Sequence, residues 1–209
     1  MRRGRYVDPI FGFITERKPP EDPSYRPARV YTTRPHFLGS GGVEPETIEM
    51  GGAASVRKVA LIVREVLSDH GLVGFPKTSG SRGIHVQVPI ARRHSFAIVR
   101  EFAGIVAGAL ARAHPGLVTT EWAKEKRRGV LVDANQNGPG KTNAAVYSVR
   151  PRAGASVSTP LRWEEVASGL DPSTFTMDVV LDRVARDGDL FAGVLGGKQS
   201  LTRALRALR

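Results

Sequence analysis

Segments patterned as helices and segments patterned as strands alternate after residue 52, and this alternation predicts a mixed α/β (α+β) domain. In segment 56–67 the apolar residues recur every three or four positions, as on one face of a helix. In segment 84–88 they alternate with His85, Gln87 and their neighbours, as in a strand. Segment 1–52 is rich in Pro, Gly and Arg and shows little periodicity, which predicts loops and short extended pieces.

The composition therefore divides the chain into a divergent, loop-rich N-terminal segment, 1–52, and a folded domain, 53–209. The first helix of this domain is expected to end near Gly71, since glycine is common just after a helix C-terminus. The other predicted elements are short strands at 73–75, 129–133 and 144–149, and helices at 96–113, 161–166 and 177–184.

The charge of the chain indicates a polyanionic partner. Its 209 residues carry a net charge of +11, which favours nucleic acid, nucleotides or anionic lipid over the substrates of an ordinary metabolic enzyme. No apolar run approaches the ~18 residues that a membrane span needs, so no membrane partner is expected. Zero cysteines exclude disulfides and thiolate metal sites and fit a reducing cytoplasm.

The stretch FPKTSGSRGIH, Phe75–His85, concentrates polar chemistry in one turn. Its glycines allow positive φ and the close approach of a ligand. Lys77, Ser79, Arg82 and His85 supply hydrogen-bond donors around it, a combination that suits phosphate oxygens. The alternative is a polar hairpin connection with a solvated arginine.

Two further clusters carry candidate site residues. Asp133 ends an apolar strand, where it either projects into a cleft and binds Mg²⁺ or Mn²⁺ or caps a turn. Arg150 and Arg152 stand two residues apart on a segment predicted to be extended, so they point the same way and match phosphate geometry. The alternative for this pair is two solvated surface arginines.

The sequence GPGKT at residues 138–142 is a poor match to a phosphate-binding P-loop. That pattern requires a glycine five residues before Gly140, where this chain has Asn135. It also requires a helix next, whereas segment 144–149 alternates like a strand. A P-loop ATPase is therefore excluded.

Together, three stretches resemble the polymerase domain of bacterial ligase D, a member of the archaeo-eukaryotic primase superfamily. They are FPKTSGSRGIHVQVPI, TTEWAKEKRRGVLVDANQN and AVYSVRPRAGASVSTPLRWEEV, in the order and spacing of that domain. The resemblance runs from about residue 53 to the C-terminus. It implies a primase-type catalytic core with an RRM-like sheet and flanking helices, incomplete at its N-terminus.

The resemblance also implies residue roles. The nucleotide triphosphate would be bound by Ser79, Arg82, His85, Lys126, Gln136, Arg150 and Arg152. Asp133 would be catalytic, as a ligand of Mn²⁺ or Mg²⁺. The family's first motif is an Asp-x-Asp pair that supplies two more ligands, and no such pair is present here. By register its place falls on Glu44 and Glu46, which keep the charge and spacing but flank Pro45, a poor residue for a central strand. Either these glutamates act as substitute ligands or the coincidence has no meaning.

The function implied is template-dependent transfer of nucleotides to DNA 3′ ends in non-homologous end joining, with NTP or dNTP as substrate. DNA ends or gapped primer-template DNA would be the macromolecular ligand, with Ku and a separate DNA ligase as partners, in the bacterial cytoplasm on the nucleoid. Two alternatives follow from the missing acid pair: a non-catalytic module that binds nucleotide and DNA, and a degenerate fragment of the family. The seven Lys or Arg against three Asp or Glu in segment 121–152 favour the binding module.

Overall fold

The computed structural model describes residues 5–7, 14–16, 35–36, 53–123, 125–151 and 154–208. The candidate site residues Glu44, Glu46 and Arg152 lie outside these ranges. The strands are β1 (Arg5–Val7), β2 (Ile14–Glu16), β3 (Pro35–His36), β4 (Phe75–Thr78), β5 (Ile84–Gln87), β6 (Val118–Thr119) and β7 (Val130–Val132). The helices are α1 (Ala53–Asp69), α2 (Phe96–Ala113), α3 (Trp163–Ser168), α4 (Met177–Asp187), α5 (Ala192–Gly196) and α6 (Leu201–Leu208). None of these described helices is long and apolar enough to cross a bilayer.

The described strands form three small sheets. β1 pairs with β2, and β4 pairs with β5, both antiparallel. In the third sheet β7 lies between β3, which is antiparallel to it, and β6, which is parallel to it. Helix α1 packs against β3, β5 and β7, helix α2 packs against β6, and the arrangement confirms the α+β class.

The two long helices build the core. α1 buries Val56, Val59, Ala60, Val63 and Leu67 at the helical spacing that the sequence predicted, and it packs against β5 and α3. α2 begins at its N-cap Ser95, whose Oγ accepts a hydrogen bond from Ile98 N at 3.4 Å, and packs against β6 and α6. Each fully buried aliphatic side chain of this core contributes roughly 1.5–3 kcal/mol of transfer free energy.

Residues 159–161 lie along the free edge of β4 and extend the β4–β5 hairpin. Thr78 N donates to Thr159 O at 2.8 Å, and Leu161 N donates to Pro76 O at 2.9 Å. Pro76 cannot donate to the ladder, so its carbonyl, which accepts from Leu161 N, makes the backbone bond at this residue. The hairpin is therefore fixed on both sides, and the turn that follows Thr78 is held by a rigid base.

Two predicted strands differ from the structure. Segment 144–149 is a turn with one isolated bridge, Val149 to Val157, because Tyr147 adopts φ +61° and reverses the chain. The strand placed at 73–75 begins only at Phe75 and continues to Thr78, and Val73 is 59% exposed. The P-loop remains excluded, since no helix follows Lys141 within the described segment 125–151.

A buried ion pair joins α3 to α4. Arg183, 8% exposed, donates Nη1 to Glu165 Oε1 at 2.6 Å and also contacts Oε2 of the same carboxylate. Burial raises the pKa of Glu165, but the hydrogen bonds from Arg183 and from Arg162 N outweigh it, so the pKa lies below its ordinary 4.5. The bidentate pair orients the two helices relative to each other.

Replacing Arg183 with methionine, Arg183→Met, is expected to lower the free energy of unfolding at pH 7 by roughly 2 kcal/mol. The expected cost is below that of a fully buried pair because Glu165 stays partly solvated. Since the pKa of Glu165 is depressed in the folded chain, the pair stabilises above pH 4.5, and the cost should shrink as the pH falls below that value. Urea melts at several pH values measure both effects. Arg186→Met is the control, because Arg186 pairs with Asp187 on the surface, and its loss should change the free energy of unfolding much less. Equal costs for the two variants would contradict the assignment.

Candidate functional site

The turn between β4 and β5 is closed by its own backbone and by Ser79. Ser79 N donates to Gly83 O at 2.8 Å, and Gly83 N donates to Ser79 Oγ at 3.0 Å. Ser79 is only 6% exposed. Because its Oγ is the acceptor in the bond from Gly83 N, its hydroxyl proton can be donated to a ligand beside the turn. Arg82 lies at the exposed tip of the same turn.

Arg150 packs directly on this turn. Gly80 has φ +65°, and a Cβ built there would lie 2.4 Å from Arg150 Cγ and 3.0 Å from Ser158 N. Ser156 Oγ donates to Gly80 O at 2.9 Å, and Arg150 N donates to Ser156 O at 2.9 Å. The buried Arg150 Nε has no hydrogen-bond partner among the described residues, so this N–H can donate to an anion at the turn.

His85 is fully buried on β5, opposite Lys77 of β4. Asn143 Nδ2 lies 3.2 Å from His85 Nδ1. This contact constrains the orientation of the buried ring. Asn143 was not predicted from the sequence, since an asparagine in a loop carries no pattern that indicates such a contact.

Lys77 is also fully buried, beneath the turn. Its Nζ donates to Thr78 O at 3.2 Å and contacts Ser158 Oγ. A buried ammonium is costly unless its protons are bonded, and these oxygens offset that cost while tying β4 to segment 156–161. Lys77 was predicted from the sequence as one of the donors around the turn, and the structure places it buried beneath the turn.

Asp133 follows β7 and is 1% exposed. Its Oδ1 accepts a hydrogen bond from Asn135 N at 2.9 Å and caps the short 3₁₀ turn Ala134–Gln136. Arg100 of α2 holds this turn from outside, since Nη2 donates to Asn135 Oδ1 at 2.9 Å. Asp133 therefore caps a turn, which was one of the two alternatives predicted from the sequence. Gln136 lies half-buried at the end of this turn.

The described residues alone do not make a two-ion site. They contain no group of three His, Cys, Asp or Glu side chains that could hold a metal ion. Asp133 is a hard oxygen ligand of the type that Mg²⁺ and Mn²⁺ prefer, but one carboxylate is too few for such a site. Glu44 and Glu46, the further ligands predicted from the sequence, lie outside the described ranges.

One irregular segment connects the aspartate with the turn. From Asp133 the chain passes Asn143, which bonds His85, and reaches Arg150, which packs on Gly80. Tyr147 holds its strained conformation with two bonds: its N donates to Ser158 O at 2.7 Å, and its hydroxyl donates to Asp189 Oδ1 at 2.6 Å. Burial and the bond to Asp189 raise the pKa of Tyr147, so the hydroxyl stays protonated and keeps donating.

The structure thus brings Ser79, Arg82, His85 and Arg150 together at the β4–β5 turn. Lys126 lies exposed on the loop between β6 and β7, where its N donates to Ala123 O at 3.2 Å. The roles predicted for these residues and for Gln136 and Asp133 stay predictions. The class of protein defined by this architecture is an α+β domain with cationic and hydrogen-bonding side chains gathered at one glycine turn, the chemistry that recognises phosphate oxygens.

The chain belongs to the LigD primase-polymerase family. The model of that family, described as the LigD primase-polymerase domain, matches residues 46–191, and this confirms the resemblance found in the sequence. The match begins inside segment 1–52, so the boundary at residue 53 stays a prediction.

Curated relatives agree with the family. The multifunctional non-homologous end joining DNA repair protein LigD of Mycobacterium tuberculosis is 43% identical over 140 residues, covering 66% of this chain and 18% of the relative. The bifunctional non-homologous end joining protein LigD of Bacillus subtilis is 34% identical over 128 residues, covering 60% of this chain and 21% of the relative. The chain therefore spans about a fifth of the length of these relatives.

A solved structure also matches. The polymerase domain of Mycobacterium tuberculosis ligase D, determined in complex with DNA, superposes with a TM-score of 0.65 at 26% identity. The superposition covers 94% of this chain and 86% of that one. The likeness confirms the expected polymerase-domain fold.

Proposed function

We propose that this chain binds a nucleoside triphosphate at the β4–β5 turn and transfers nucleotides to DNA 3′ ends during end-joining repair. The observation that carries the proposal is the packing of Arg150 on Gly80, which places a buried guanidinium N–H without a described partner beside a glycine turn. Arg82 adds a second cation at the turn, and both match the geometry of phosphate oxygens.

DNA is the proposed macromolecular ligand. The matched polymerase domain of ligase D was determined in complex with DNA. The net charge of +11 supports binding to phosphate backbones, and such binding weakens as salt rises. The proposed ion for transfer is Mn²⁺ or Mg²⁺ with Asp133 as a ligand, while Glu44 and Glu46 are the residues proposed to complete the set.

A second candidate function is binding of nucleotide and DNA without transfer. Asp133 is the single carboxylate placed at the proposed metal site, and the described residues hold no three-residue ligand group, which favours this second candidate. Both candidates predict binding of nucleotide and DNA, and only the first predicts transfer of nucleotides to the DNA 3′ end.

Primer extension on a gapped duplex with Mn²⁺ separates the two candidates. Extension by the native chain supports the transferase. Binding of the duplex, seen by fluorescence anisotropy, without extension supports the binding module. A soluble chain that neither binds nor extends, and that lacks a cooperative thermal unfolding transition, would contradict both and indicate a degenerate fragment.

Ku and a separate DNA ligase are the proposed protein partners, in the bacterial cytoplasm on the nucleoid. The support is that the curated relatives are named for non-homologous end joining. A mobility-shift assay on a duplex with free ends tests the first partner. An additional shifted species that requires both Ku and this chain is expected, and independent binding of the two would contradict it.

A further inference from the structure

The loop between β6 and β7 presents an indole to solvent. Trp122 is 54% exposed. The chain's other tryptophan, Trp163, is half-buried: its Nε1 donates to Gly74 O at 2.9 Å, and Arg64 lies 5.3 Å over its ring. Trp122 therefore leaves a large aromatic face in contact with water. One exposed apolar residue has no significance by itself, and its surroundings decide what it can do.

The loop that carries Trp122 is anchored from within. Arg127 is only 4% exposed, and its guanidinium donates to Glu121 O at 3.0 Å and to Trp122 O at 2.5 Å. Gly129, at φ +83°, fits closely, since a Cβ there would lie 2.6 Å from both Gly116 O and Leu117 O. A buried cation thus holds the backbone of the loop at Trp122.

Topology places this loop at the same sheet edge as Asp133. β6 and β7 are parallel, with Thr119 opposite Leu131. Parallel neighbours finish at the same end of a sheet. Trp122 comes after the last residue of β6 and Asp133 comes after the last residue of β7, so both lie at that end. Lys126 and Arg128 are exposed on the same loop, so the indole has cationic neighbours in sequence. An aromatic face beside cations is the arrangement that single-stranded nucleic acid binders use for stacking.

We propose that Trp122 is a stacking platform for an unpaired base of the DNA strand that reaches the site near Asp133. This inference rests on the proposed function and adds a positioning residue to it. The exposed cations attract the phosphate backbone of any sequence, and the indole contributes a contact that only a base can make. Binding should therefore depend on the presence of bases as well as on charge.

The test is fluorescence anisotropy with two labelled single strands of DNA of equal length, one normal and one abasic at internal positions. Trp122→Ala should weaken binding of the normal strand about tenfold and leave the abasic strand within about twofold. Trp122→Phe should retain most of the affinity, since a phenyl ring also stacks. Leu195→Ala is the matched control, because Leu195 is an exposed apolar residue, 69%, on α5, and no change is expected.

Intrinsic fluorescence gives a second readout. In the variant Trp163→Phe the only indole is Trp122, and the normal strand should quench its emission while the abasic strand should not. If this variant does not fold, the anisotropy series alone decides.

Equal effects of Trp122→Ala on both strands, or none on either, would overturn the inference and leave DNA binding intact. Absence of binding to either strand by the native chain would also overturn the inference, while binding of the gapped duplex decides the DNA-binding part of the proposed function separately. Neither readout requires extension, so base-dependent binding without nucleotide transfer supports the stacking role and counts only against the transferase.

Discussion

Asp133→Asn is expected to reduce primer extension by at least about 100-fold while DNA affinity stays within about twofold. Substituting a residue that only hydrogen-bonds a metal ligand lowers metal affinity or activity roughly 10–100-fold. This substitution removes the charge of the proposed ligand itself, so a larger loss is expected. The fold should survive, because asparagine is as good an N-cap as aspartate and its Oδ1 can accept the same bond from Asn135 N. Loss of extension with an unchanged melting temperature would therefore report on chemistry. Extension is measured on the gapped duplex with Mn²⁺.

The chain offers a matched control for this substitution. Asp171 caps the 3₁₀ turn Pro172–Thr174 in the same way, with its Oδ1 accepting a bond from Ser173 N at 2.9 Å. Asp171→Asn makes the identical chemical change at a surface cap and should leave extension unaltered. Full extension by Asp133→Asn would remove Asp133 from the proposed metal site and leave it a turn cap.

Gly80→Ala is expected to weaken nucleoside triphosphate binding about tenfold. The added methyl group would lie 2.4 Å from Arg150 Cγ, so the arginine must move away from the turn. Losing one charge-assisted hydrogen bond to a phosphate lowers binding affinity about tenfold or more. The substitution also places a Cβ at positive φ, which costs about 1 kcal/mol of folding free energy by itself. Calorimetric titration with a triphosphate and a urea melt measure the two effects.

Gly140→Ala separates strain from displacement. Gly140 has φ +73°, close to the +65° of Gly80, but nothing lies within 4 Å of a Cβ built there. Gly140→Ala should lower the free energy of unfolding by a similar amount and leave the affinity for triphosphate unchanged. If the two variants bind nucleotide equally well, Arg150 is not part of the phosphate site.

Elements with strong periodicity were predictable from the sequence. Helix α2 begins and ends at the predicted residues, 96 and 113, because its apolar face is continuous and residues 114–116 end it. Helix α6 was not predicted, although its buried residues Leu201, Ala204 and Leu205 have helical spacing. The strand predicted at 144–149 was wrong because the alternation of side chains does not reveal that Tyr147 has a positive φ.

For the candidate site, sequence reasoning found the residues that carry charge and missed those that position them. Asp133 at a strand end and the basic glycine turn follow from residue type and spacing. The Asn143–His85 contact joins residues 58 positions apart, and the Lys77–Ser158 contact joins residues 81 apart. Such contacts depend on how irregular segments pack, and periodicity holds no information on them.

The bond between Tyr147 and Asp189 has a practical consequence for shortened versions of the protein. A version that stops before Asp189 would retain each residue proposed to bind nucleotide, yet it would lose the acceptor that holds the strained tyrosine three residues before Arg150. The family match extends only two residues beyond this aspartate, to residue 191. A shortened version meant to keep the geometry around Arg150 should therefore include Asp189.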